Sequence, residues 1–329
     1  MTLAPTRRPW GITSRPWWPW VKRTVITAFF LLVAWLLVTQ ARAIEWHEVF
    51  TALSNYPARV LLAAGALALL GLLNYSAFDL LGRRYTGHTL AAATVMRVTF
   101  ISYVFNLNLG SMVGGVAMRY RLYSRLGLGT GVITRVMSLS MLANWIGYLL
   151  LAGVVFGFHA PKLPPDWVID SGDLQILGFV LLALALLYLL LCALARRRDF
   201  TVWGHALSLP SLRLALLQLG MGAANWLLMG SIIYVLLQQK VDFFTVASVL
   251  LVAAVAGVIA RIPAGLGVLE AVFIALLSHQ VPTHELLAAL LAYRLFYYLA
   301  PLALATLLYL VAEISTKKTV PPLLQHRVK

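Results

Sequence analysis

Six charged residues stand inside, or at the edge of, long apolar runs: Asp79, Arg97, Arg119, Arg261, Glu270 and Arg294. A charge at the centre of a bilayer costs about 2.5–3.5 kcal/mol on insertion scales, so each must pair, face a cavity or serve a site. The densest cluster is Arg261-Ile262-Pro263-Ala264-Gly265-Leu266-Gly267-Val268-Leu269-Glu270. Proline and two glycines interrupt a helix there, and a new helix begins near Val268. A helix start carries free N–H groups and partial positive charge, to which Arg261 adds a full cation, a combination that suits a phosphate. Glu270 falls in the first turn of the new helix. It can serve as counter-ion to an arginine, proton carrier or acceptor for a lipid amine. Equally, it can cap its own helix and pair with Arg294, holding the segment shut. Arg294 lies mid-span, too deep to snorkel, and needs a partner inside the protein.

A second glycine-rich break, Asn106-Leu107-Asn108-Leu109-Gly110-Ser111-Met112-Val113-Gly114-Gly115, is followed one turn later by Arg119. Small residues allow close backbone approach. Arg119 is then placed either to meet a headgroup phosphate or to anchor the chain at the inner leaflet. Asp79 and Arg97 are expected to pair across the turn 82–89.

Other chemistry is excluded. Gly127, Gly129 and Gly131 follow no strand and make no dinucleotide fingerprint. His279, His284 and Glu285 lack the spacing of a helix-borne metal site, and no metal or other cofactor is expected. The single cysteine, Cys192, can form no internal disulfide. No nucleophile elbow, phosphate loop or zincin motif is present, so the chain is not expected to be an enzyme.

The elements that must position these charges follow from composition. Of 329 residues, 61% are apolar and 11% charged, against about 25% charged in soluble domains. The apolar runs are apolar on every face, which excludes the alternation of a transmembrane β-barrel. Candidate spans are 21–40, 60–81, 90–107, 136–158, 176–195, 212–238, 243–260 and 286–312, with shorter pieces at 108–118 and 268–278. The net charge of +15 is assigned to the positive-inside bias rather than to nucleic acid. Gly153 and Gly157 form a GxxxG pattern expected to pack helices.

Basic clusters place the N-terminal tail, 82–89, Arg196 to Arg198 and the C-terminal tail in the cytoplasm. The cluster Arg119, Arg121, Arg125 and Arg135 joins them only if 90–118 enters and turns back. Loops 239–242 and 279–285 both lie outside only if 243–278 does the same from the other face. The expected fold is therefore an all-α polytopic membrane protein with about six full transmembrane helices, two oppositely oriented re-entrant hairpins and both termini cytoplasmic. Opposed hairpins are what an inverted repeat produces, with a site near the midplane. Ala143-Asn144-Trp145 and Ala224-Asn225-Trp226 are a faint echo of one. The organisation is a cytoplasmic tail 1–20 rich in Arg, Trp and Pro, one membrane domain 21–312 and a basic tail 313–329. Ala41-Arg42-Ala43 mimics a cleavage site, but the long tail before the apolar core favours an uncleaved anchor.

Four stretches carry a family resemblance: Tyr75 to Leu80, Asn106 to Gly127, Ile262 to Glu270 and Tyr293 to Pro301. In order, spacing and intramembrane charge they resemble the integral membrane domain of the lysylphosphatidylglycerol synthases (MprF), and within that family the stand-alone YbhN-type inner-membrane proteins. The resemblance implies a multi-pass protein of the bacterial cytoplasmic membrane that handles lipid. In the larger synthases this domain is regarded as the flippase, while a separate soluble domain attaches the amino acid. Neither the longest loop, 159–175, nor the stretch after 312 has room for such a domain, so synthase activity is not carried over. Ala264 stands where the larger proteins tend to have glycine.

The expected function is that of a phospholipid transporter. It moves or binds an anionic or aminoacylated phospholipid (phosphatidylglycerol or cardiolipin class) in a groove between the hairpins. The expected site comprises Asp79, Gly114, Gly115, Arg119, Arg261, Pro263, Gly265, Gly267, Glu270 and Arg294. The alternative is a non-transporting lipid-binding scaffold that recruits a lipid-synthesis or envelope lipid-transfer protein. Association with a second copy is open.

Overall fold

In the absence of water a backbone must bond to itself, and these apolar runs do so as helices. The computed structural model describes residues 46–160, 171–194, 199–202, 205–260, 262 and 265–318. The candidate span 21–40, the N-terminal tail, residues 319–329 of the C-terminal tail, Arg261 and Pro263 lie outside the described residues.

The helices are α1 (Trp46–Ser54), α2 (Ala58–Ser76), α3 (Phe78–Thr86), α4 (Ala92–Leu109), a π-helical segment π1 (Ser111–Ala117), α5 (Met118–Arg125), α6 (Thr130–His159) and α7 (Ser171–Leu194). After a two-stranded antiparallel ribbon, β1 (Asp199–Val202) and β2 (His205–Ser208), come α8 (Leu212–Leu236), α9 (Phe243–Ala260), α10 (Val268–Leu277), α11 (Thr283–Arg294), π2 (Leu295–Leu299) and α12 (Ala300–Lys318). The ribbon is a departure from the all-helical expectation. Its backbone lies in the basic connection before α8 and leaves the helical architecture intact.

Six stretches among the described residues are long and apolar enough to cross a membrane: Ala58–Thr86, Thr130–His159, Ser171–Leu194, Leu212–Leu236, Phe243–Ala260 and Thr283–Val311. Five of them coincide with expected full spans, and the sixth expected span, 21–40, lies outside the described residues. The remaining stretch, Phe243–Ala260, is 18 residues long and forms the first limb of the expected second hairpin.

Two hydrogen bonds fix the direction of the bundle. Tyr56 Oη donates to the Leu236 carbonyl (2.7 Å), and Asn74 Nδ2 donates to that of Met221 (3.0 Å). The start of α2 therefore meets the end of α8, and the two run antiparallel. Each is followed by a chain that turns back. After α4 the chain reverses at Gly110, whose φ of 84° suits glycine, and π1 packs backbone to backbone on α4. A Cβ on Gly114 would lie 2.1 Å from the Phe105 carbonyl carbon. Leu122 and Tyr123 then cluster with Val98 and Ile101, so the return limb ends beside the start of α4. In the second fold-back, the ion pair of Lys240 with Glu285 ties the residues before α9 to those after α10.

The longest helix, α6, is the centre of the packing, and glycines bring its neighbours close. A Cβ on Gly147 would fall 2.1 Å from the Gly222 carbonyl carbon of α8. The GxxxG pair packs α7 as expected: a Cβ on Gly178 would lie 2.3 Å from the Gly157 nitrogen, and one on Gly153 would lie 2.6 Å from the Leu182 nitrogen. The two Asn-Trp motifs meet at the α6–α8 crossing, where Trp226 Nε1 donates to the Asn144 carbonyl (3.2 Å). Chain order, however, matches α8 with α2, since each precedes a fold-back. Those two helices carry Gly71-x-x-Asn74-Tyr75 and Gly222-x-x-Asn225-Trp226.

Candidate functional site

Two buried ion pairs hold the fold-backs, and they differ in access. The first joins Asp79 on α3 to Arg119 on α5. Arg119 Nε donates to Asp79 Oδ2 (3.1 Å), and a terminal guanidinium nitrogen donates to Oδ1 (3.3 Å) and to Ser140 Oγ (3.4 Å). Tyr123 Oη donates a further bond to Asp79 Oδ2 (2.9 Å). The side chains are 0% and 2% exposed. This overturns the expected pairing of Asp79 with Arg97. The turn 82–89 brings α3 and α4 together, but the rotation of α4 leaves Arg97 exposed, and the return limb delivers Arg119 instead. Arg119 therefore faces its partners, not an open groove. With its ligands saturated by protein, this pair is a clasp on the first fold-back.

The second pair joins Glu270, in the first turn of α10, to Arg294 at the end of α11. Arg294 Nε donates to Glu270 Oε1 (2.5 Å), and a terminal nitrogen donates to Oε2 (3.0 Å) and to the Gly265 carbonyl (3.1 Å). Glu270 Oε2 also accepts from the Gly267 N–H (3.0 Å), capping its own helix. The interrupted backbone makes this possible: Gly265 (φ 56°) and Gly267 (φ 79°) adopt the left-handed region, turning one carbonyl and one N–H toward the pair. Here Glu270 keeps 17% of its exposure and Arg294 9%. Glu270 thus caps its helix and neutralises Arg294, both parts of one of its two expected roles.

The two fold-backs converge on the segment after Arg294. Asn108, two residues before the first reversal, donates Nδ2 to the Tyr298 carbonyl (3.3 Å). The guanidinium of Arg294 lies 5.4 Å from the Tyr298 ring centre, within cation–π range. Of the expected glycines, Gly114 packs on Phe105 and Gly115 on the Asn106 side chain; both build the first reversal. Gly265 and Gly267 touch the second pair directly. The structure thus brings Gly265, Gly267, Glu270 and Arg294 together and sets Asp79 and Arg119 apart as a separate pair.

Sequence reasoning missed the aromatic and amide line beside this site. Tyr75 stacks on Tyr103, with ring centres 3.4 Å apart. Tyr103 Oη meets Tyr297 Oη at 3.0 Å, and Tyr297 donates to Asn225 Oδ1 at 3.4 Å. The available signal was the pair of Asn-aromatic motifs on α2 and α8. At the end of α8 that faces α1, a cavity of about 440 Å³ is lined by His47, Tyr56, Lys240, His284 and Glu285 among others. Burial, aided by the charge of Glu285, pushes the Tyr56 hydroxyl up to about 12. No cluster of three or more potential metal ligands occurs among the described residues.

Residues 24–305 match the family model described as "Lysylphosphatidylglycerol synthase TM region". The chain is 48% identical over 306 residues to the inner membrane protein YbhN of Escherichia coli K12, covering 93% of this chain and 96% of that protein. It is 31% identical over 266 residues to an uncharacterised protein of Synechocystis, covering 80% and 82%. With a phosphatidylglycerol lysyltransferase of Staphylococcus aureus it shares 26% identity over 302 residues, which is 88% of this chain but 34% of that enzyme. Six membrane-length apolar stretches, and a relative of the bacterial inner membrane along nearly the whole chain, make this an inner-membrane protein. The chain belongs to the lysylphosphatidylglycerol synthase transmembrane-region family.

Proposed function

We propose that this protein moves an anionic or aminoacylated phospholipid between leaflets, using the Glu270–Arg294 pair as its switch. The observation that carries the reading is a partly exposed ion pair at a break in a helix, on the segment where two fold-backs converge. In this reading 90–118 and 243–278 are re-entrant elements of opposite orientation, and both chain ends are cytoplasmic. The antiparallel course of α2 and α8, each leading into a fold-back, supports that arrangement.

The chemistry follows from the cost of an unpaired charge at depth. Arg294 cannot leave Glu270 unless another anion replaces it, and a lipid phosphate is such an anion. Glu270 then needs a proton or a cation. An aminoacylated headgroup brings a phosphate and an ammonium together and can satisfy both partners in one exchange. The Staphylococcus aureus relative is named a phosphatidylglycerol lysyltransferase, and such an enzyme makes a lipid of this kind.

The test is reconstitution in liposomes with fluorescent phosphatidylglycerol and an impermeant quencher outside, comparing the parent protein with Glu270→Gln. Quenching beyond that of empty vesicles, reduced about tenfold or more in the variant, is the expected result. Quenching equal to empty vesicles with anionic and aminoacylated lipids, with and without a proton gradient, would overturn transport and favour a lipid-binding scaffold.

A further inference from the structure

A second lipid-facing feature lies away from the ion pairs. Between α2, α4 and the π2–α12 helix runs an apolar groove of about 570 Å³, within the range of about 300–1,000 Å³ typical of small-molecule sites. Gly65 and Ala68 make it deep: Phe296 sits 3.5 Å from where a Cβ on Gly65 would stand. Leu69, Leu73 and Phe100 are among its walls. Its one charged lining residue is Arg97, which is exposed and makes no hydrogen bond or ion pair among the described residues. The nearest acid in sequence, Asp79, is taken by Arg119 and Tyr123. Ser76, also on the lining, spends its hydroxyl on the Leu72 carbonyl.

We infer that this groove holds one phospholipid, with the phosphate on Arg97 and an acyl chain lying along α2 toward Gly65. The dimensions agree. From Ser76 to Gly65 the lining spans about 16 Å of helix, which is about half the ~30 Å hydrocarbon thickness and so the depth of one leaflet. The charge agrees too: a lone cation at one end and hydrocarbon walls beyond it match an anionic headgroup with its chain. A packed helix from a second copy would instead have to leave that cation unpaired or supply an acid opposite it. This proposal deepens the lipid-handling reading by naming where a lipid rests, and it is tested by contact rather than by movement.

The full chain is placed in phosphatidylcholine nanodiscs containing phosphatidylglycerol with a photoreactive diazirine on its acyl chain, and labelled peptides are mapped by mass spectrometry. Expected is labelling of 65–73, 96–100 and 296–304 above that of α7, an apolar helix largely exposed along its length. In Arg97→Gln that excess falls about fivefold, the worth of one surface cation toward anionic lipid, while α7 labelling stays constant and reports that the protein is folded. Arg97→Lys retains the excess. Groove labelling no higher than α7, or unchanged in Arg97→Gln, would overturn the site. Groove labelling without lipid movement sinks the transporter alone, and movement without groove labelling sinks this site alone.

Discussion

Replacing Asp79 by asparagine keeps the volume of a fully buried side chain and removes its charge. Asp79 accepts two bonds from Arg119 and one from Tyr123, in a setting where neither ion-pair member is more than 2% exposed. Charge-assisted bonds are worth about 1.5–3 kcal/mol each, but the amide keeps one acceptor, and part of the gross gain only offsets desolvation. The applicable figure is that for breaking a buried pair while leaving its partner charged, about 3–5 kcal/mol. Unfolding in mixed micelles of dodecyl maltoside and sodium dodecyl sulfate, followed by tryptophan fluorescence, reads this loss. The double variant Asp79→Leu with Arg119→Met removes both charges and fills the space, so it should recover most of the stability. Per folded molecule, it should also move lipid at the parent rate. Glu285→Gln, which breaks a pair 47% and 31% exposed, provides the contrast at under about 1 kcal/mol. If Asp79→Asn falls within about 1 kcal/mol of the parent, or the double variant is worse than the single one, the clasp argument is wrong. Loss of lipid movement in a stable double variant would return Arg119 to the transport site.

Two further outcomes follow from local geometry. Gly114→Ala pushes a methyl into the Phe105 backbone, and overpacking of this kind costs about 1–3 kcal/mol; it should show as lowered yield and faster proteolysis of 110–127. His88, in the turn after α3, has its pKa lowered by burial and then by Arg83. The unfolded chain therefore takes up a proton first as pH falls. Stability present above the ordinary histidine value, about 6.5, should decline as pH drops through and below it, and His88→Gln should flatten that decline in the same micelle titration.

How much was legible depended on how local the cause was. Unbroken apolar runs revealed the spans, because lipid imposes helix on any such run. Pro263, Gly265 and Gly267 revealed the break, and the depth of Arg294 demanded an internal partner that proved to be Glu270. The partner of Asp79 was not legible. Arg97 is nearer along the chain, while Arg119, 40 residues away, is delivered by a reversal whose rotation depends on π1 packing against Phe105. Such phase errors are intrinsic to reading a helix that is apolar all round, since no polar face reports which side turns inward. The line Tyr75–Tyr103–Tyr297–Asn225 was hidden for the same reason: four elements distant in sequence supply it, and aromatic residues in an apolar run look alike whether they face lipid or one another.

The π-helical turn after Arg294 has a consequence for insertions and deletions. Between α11 and α12 the helix carries a stretch wound more widely than an α-helix, bonding five residues apart rather than four. Deleting one residue from Leu295–Leu299 would let an ordinary α-helix close through it. Everything beyond would then keep nearly the same facing relative to Arg294, because four α-helical residues at about 100° each wind as far as five in the wider turn. The ion pair would survive, and Pro301, Leu304 and Leu308 would stay on the groove wall they line. The wide turn therefore absorbs one residue without loss of angular register, so that one helix can aim an arginine at the interior and a hydrocarbon wall at the lipid. Single-residue deletions there should damage the groove far less than single-residue deletions in the α-helical stretch between this turn and Leu304.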